Sequence, residues 1–83
     1  MSQRELVFVL AHAQLCTACR GRLIASPQDA LAGRWLTTEE KEAVLRLKDS
    51  DFFTSERLAE MIGVSVAQLT ESSNHPVVRL RHL

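Results

Sequence analysis

Two sets of local signals predict an all-α fold, a small bundle of about five short helices. Helix-start chemistry recurs at close intervals: Ser2 with Glu5, Ser26 before Pro27, Thr37 with Glu40, Thr54 or Ser55, and Ser65. Stop signals answer it at Gly33, Gly63 and Pro76. Composition agrees, with 46% apolar and 24% charged residues and only three Gly and two Pro in 83 residues, the balance of a folded chain and not a disordered one.

The first helix is expected over 3–24. Ser2 and Glu5 form a capping box, and the apolar residues that follow are too dense for one stripe. Leu6, Val9, Leu10 and Ala13 share one face, while Phe8, His12, Leu15, Cys19 and Leu23 share another. LVFVL has strand character, but the capping box and the Ala-rich continuation assign it to helix. Ser26 and Pro27 open a second helix over 27–33, closed by Gly33. Thr37 and Glu40 open a third over 38–48, with Glu39 and Glu40 at its positive end and Arg46 and Lys48 at its negative end. The polar turn Asp49-Ser50-Asp51 precedes Phe52-Phe53, read as an apolar anchor. The last two helices, 55–62 and 65–72, are joined at Gly63 as a helix-turn-helix-like pair. The predicted core is Leu6, Leu10, Leu15, Leu31, Val44, Leu47, Phe53, Leu58, Ile62 and Leu69.

Length allows one domain, residues 1–83, with 75–83 as a basic C-terminal arm or a final helical turn. Ten basic residues balance ten acidic ones, so no global field draws the chain to nucleic acid or to a membrane surface. Arg4 followed by LVFVLAHA superficially resembles a signal peptide, but Glu5 interrupts the basic region and no clear cleavage site follows. The apolar run is also too short to span a bilayer. The expected location is therefore the cytoplasm, without membrane contact.

LAEMIGVSVAQL carries the sharpest motif: small Ala59, Gly63 four residues later, and Ser65 opening the next helix. With LTTEEKEAVLRL before it, the segment 36–69 resembles the helix-turn-helix domains of LuxR-type and sigma-factor-type regulators. That resemblance implies DNA binding, with Gln68 and Thr70 on the reading helix and Arg79 and Arg81 as phosphate contacts. The reading helix itself carries no Lys or Arg for phosphate or guanine.

RLIASPQDALAGRWLTTEEKEAVLRL, residues 22–47, resembles the small all-helical subunit of protocatechuate-type extradiol ring-cleavage dioxygenases. It is also similar to the leader-like domains of bacterial peptide natural-product precursors. The first resemblance implies an accessory subunit that covers the active site of a larger, metal-bearing catalytic partner. The second implies a precursor or leader-like peptide, but no Cys- or Ser/Thr-rich segment follows Asn74 as a core peptide would.

His12, Cys16 and Cys19 stand at i, i+4 and i+7 and share a helical face. Zinc is the alternative reading, with His75 or His82 needed as a fourth ligand. The preferred reading is packing, since cysteine is a common buried filler, and no cofactor is expected. No paired carboxylates or nucleophile–base arrangement points to catalysis. The expected function is thus a non-catalytic helical interaction module, an accessory or cap subunit for a larger oxygenase or biosynthetic enzyme. Val7, Phe8 and Leu15 on the apolar-rich first helix form its expected partner surface, or the surface for self-association. The alternatives are a small DNA-binding regulator and a leader-like peptide.

Overall fold

A helix that is apolar on most of its circumference has to lie at the centre of a small protein, and that is where α1 (Ser2–Leu15) sits. Leu6, Val7, Val9, Leu10, Ala11 and Ala13 are all buried along it. In the computed structural model α2 (Thr17–Ala25), α6 (Val66–Ser73) and α7 (Pro76–Leu80) pack directly on α1. Wholly buried Ala11 and Ala13 keep the side-chain layer thin, which permits close helix approach. Outside this layer, α3 (Pro27–Ala30) packs on α2, and α5 (Ser55–Ile62) packs on α6 and on the 3-10 turn Asp49–Phe52. The remaining helix, α4 (Thr38–Leu45), contributes Val44 to the core, and Leu47 joins it just beyond the helix end. The structure describes residues 2–34 and 36–80, with backbone alone for residues 2 and 3. The side chain of Ser2 in its expected capping box, Trp35, and Arg81 and His82 of the expected arm lie outside the described residues. Among the described residues there are seven α-helices and no strand, an all-α bundle.

The caps follow local chemistry. Thr37 accepts the Glu40 N–H while the Glu40 carboxylate accepts the Thr37 N–H, at 3.1 and 2.9 Å. Ser65 and Gln68 repeat the arrangement at α6, and Thr54 caps α5 through the Arg57 N–H. Gly63 closes α5 at φ 74°, ψ 33°, a left-handed conformation in which a Cβ is strained. The expected final turn is helical, and its Val78 is buried.

Several expectations about helix bounds and core residues are corrected. The helix expected over 3–24 breaks at Cys16 (φ −119°, ψ 106°), whose thiol accepts the Cys19 N–H and caps α2. A straight helix of that length would run about 33 Å, beyond the largest dimension of the molecule, 27 Å; the break folds α2 back onto α1. Phe52 and not Phe53 enters the core: Phe53 caps the 3-10 turn and is 70% exposed. Leu15, at the end of α1, is 53% exposed instead of buried, and Ile62 is half-buried. The helices expected over 27–33 and 38–48 end earlier, at Ala30 and Leu45. Leu31 to Gly33 form a turn closing at Gly33 with φ 79°, and α4 ends with the Arg46 N–H on the Ala43 carbonyl and the Leu47 N–H on the Val44 carbonyl.

Asp51, expected as an ordinary turn residue, is a buried carboxylate that ties the 3-10 turn to α5. It accepts the Lys48 N–H at 2.9 Å and the Arg57 Nε–H at 3.0 Å. The Lys48 backbone N–H, and then Arg57, hold its carboxyl below the usual value of 3.8. A lowered folded-state pKa contributes stability that is fully present above the unfolded value and disappears as pH falls through the folded one. Asp51→Asn is therefore expected to lower Tm at neutral pH, with the gap to wild type closing below pH 3.8. Thermal melts across pH 2–7 check this, and a gap independent of pH would show that the charge of Asp51 contributes nothing.

Candidate functional site

The densest group of chemically capable side chains is at the α1–α2 break. His12 is on the last full turn of α1 and Cys19 on the first turn of α2, both buried, while Cys16 at the break is half-buried. Their donor atoms lie within 4.8 Å of one another. His12 Nδ1 meets the Val78 carbonyl, and because a carbonyl only accepts, Nδ1 carries the proton. In the neutral ring Nε2 is then a lone pair, directed at Cys19 Sγ 3.2 Å away. The face-sharing expected from the i, i+4, i+7 spacing is thus achieved with a kink in place of a continuous helix. His75, weighed as a fourth ligand, is not in this group: its Nδ1 accepts the Val77 N–H, and its ring lies 5.2 Å from Phe8. His82 is outside the described residues.

The expected partner residues separate. Val7 is 3% exposed, inside the core, and is corrected as a surface residue. Phe8 is half-buried in a cleft between α1 and α6 that Val7, Gln68, Glu71 and Ser72 also line. The Arg4 guanidinium lies 5.1 Å over its ring, and the His75 ring packs against it in a tilted contact. Leu15 alone presents a substantial apolar surface.

The residues named for DNA are engaged within the chain. Gln68 completes the α6 capping box, the Thr70 hydroxyl donates to the Val66 carbonyl, and Arg79 donates to the Ser73 carbonyl and to Asn74 Oδ1. Arg81 is outside the described residues.

One surface was not anticipated. Between α3, the turn after it and α4 runs a groove of about 340 Å³, with Pro27, Leu31, Ala32 and Leu45 as its apolar wall and Arg34, Lys41 and Glu42 on its rim. Leu45 is 59% exposed there, and Arg34 is anchored to Glu5 at 3.3 Å. A signal existed in the sequence: Leu45 is out of phase with inward-facing Val44 and Leu47, an aliphatic residue on the wrong side of its helix.

No protein-family model, no curated protein and no solved structure matches this chain. What the fold defines is a small all-α protein, and no described helix is long and apolar enough to cross a membrane.

Proposed function

We propose that this chain is a non-catalytic helical interaction module, an accessory subunit that docks on a larger enzyme through the α3–α4 groove. The observation that carries this is Leu45, more than half exposed in the wall of an apolar groove. Solvated aliphatic surface beside a concave apolar wall favours burial against a partner. The occupant is a partner helix with one large apolar side chain for the groove and a carboxylate to meet Lys41 on the rim. Every residue of the groove also falls within 22–47, the segment that resembles dioxygenase small subunits, in which contact with a catalytic partner is the expected role. Docking through α1 is less favoured, because Val7 is buried and Phe8 is already covered by Arg4 and His75. DNA binding ranks lower for the same kind of reason, since Gln68, Thr70 and Arg79 have partners in the chain.

A photo-crosslinking side chain at Lys41, in the cell that produces the protein, is expected to give one adduct with a larger protein. The same probe at Glu60, exposed on α5, is expected to give none, and Leu45→Glu is expected to abolish the Lys41 adduct without changing helicity. An adduct that survives Leu45→Glu, or equal labelling from Glu60, removes the groove from consideration, and an adduct between two copies makes it a self-association surface.

A further inference from the structure

We propose that His12, Cys16 and Cys19 form a zinc site with three protein ligands and a fourth position open to solvent. Two thiolates and an imidazole are a donor set suited to zinc, and three protein ligands with one exchangeable position is an established coordination pattern for that ion. The distances permit it. Zinc–sulfur bonds of about 2.3 Å and zinc–nitrogen bonds of about 2.0–2.1 Å place tetrahedral donors roughly 3.5–3.8 Å apart. The three atoms here already lie within 4.8 Å, so closing on a metal takes shifts of about 1 Å. Cys16, half-buried and on extended backbone at the break, is not held by helical geometry.

Three further features fit the same assignment. The Val78 carbonyl fixes the His12 tautomer with Nδ1 protonated, as the partners behind metal-bound histidines do, leaving Nε2 as the ligating atom. The Cys19 N–H donates to Cys16 Sγ at 3.4 Å, a contact that stabilises negative charge on the sulfur. Charge balances as well: Zn²⁺ with two thiolates and a neutral imidazole is neutral overall, which a site beside the α1 core tolerates. Binding exchanges protons for metal: the Cys16 and Cys19 thiols each lose a proton to solvent, and the S–H that faces His12 Nε2 is replaced by a shared ion. No redox step is involved.

The test uses the full chain, reduced with a phosphine and stripped of metal, titrated with Co(II). One equivalent is expected to produce sulfur-to-cobalt charge transfer in the near ultraviolet and tetrahedral bands in the visible, both bleached by Zn(II). Calorimetry in buffers of different ionisation enthalpy should find close to two protons released per zinc at neutral pH. Cys16→Ser retains a hydroxyl able to cap α2, so it should fold like the wild type. It should nevertheless lose more zinc affinity than the roughly 100-fold upper cost of removing a supporting contact. Cys19→Ser should do the same. Absence of a charge-transfer band at one equivalent, or wild-type affinity in the double variant, would mean that the cysteines are packing groups and His12 a hydrogen-bonded core residue. Leu45→Glu should bind zinc like the wild type, so failure here and failure of the docking groove are read separately.

Discussion

Leu10→Ala is expected to lower the free energy of unfolding by about 2–5 kcal/mol. Leu10 has no exposed surface and sits mid-way along α1, the helix on which α2, α6 and α7 pack. Its truncation therefore removes contacts from the centre of the bundle, and three packed neighbours leave little freedom to collapse into the cavity. A domain of this length has about 4–12 kcal/mol of stability in total, so the variant is expected to lose a large share of it. Urea denaturation should show a lower midpoint with an unchanged slope. Leu45→Ala, on the exposed side of α4, should stay within about 0.5 kcal/mol of wild type. A loss under about 1 kcal/mol for Leu10→Ala would place the centre of the core elsewhere, because that is what a half-buried site gives.

What could be read in advance was whatever is decided within four residues of chain. The Thr37–Glu40 box, the Ser65 cap and the left-handed Gly63 all follow from side-chain reach and backbone sterics, and each is where the sequence puts it. Of Thr54 and Ser55 it is Thr54 that caps α5, and the return bond from Gln68 that completes the Ser65 box was not expected. The break at Cys16 escaped because a thiol is a poor signal for an N-cap, and because what rewards the kink is non-local: the return of α2 onto α1. Phe52 and Phe53 show a different limit. Adjacent phenylalanines carry the same hydrophobic signal, and only the 3-10 geometry decides which one turns inward. The candidate sites divide in the same way. Helical spacing placed His12, Cys16 and Cys19 on one face, whereas the Val78 carbonyl that orients His12 comes from the far end of the chain. The α3–α4 groove is a space between elements, and its one local trace is the misplaced Leu45.

Val9→Asp is expected to leave the chain largely unfolded at neutral pH, while Leu15→Lys, six residues along the same helix, should be close to neutral. Val9 is 1% exposed within the α1 core. A carboxyl held there has its pKa raised by up to about 3–5 units, to about neutral pH or above, so at pH 7 it must take up a proton on folding. At about 1.36 kcal/mol per unit between the unfolded value of about 3.9 and pH 7 this costs roughly 4 kcal/mol, a large share of the stability of the domain. Val7 is a less decisive position, because it floors the cleft beside Arg4 and an aspartate there has both an outlet and a partner. The sign of the pH effect distinguishes charge burial from simple loss of packing. A raised folded-state pKa means that the penalty shrinks as pH falls from neutral towards about 3.9 and is gone below it, where the carboxyl is neutral in both states, leaving about 1–3 kcal/mol for a buried polar group. Circular dichroism melts of Val9→Asp and wild type should therefore converge in acid. Leu15, 53% exposed at the C-terminal end of α1, accepts a lysine beside the negative helix end, and its Tm should stay within a few degrees of wild type. Equal damage from the two substitutions would mean that Leu15 is covered by something in solution, and the apolar surplus of α1 would then be a second interface beside the α3–α4 groove.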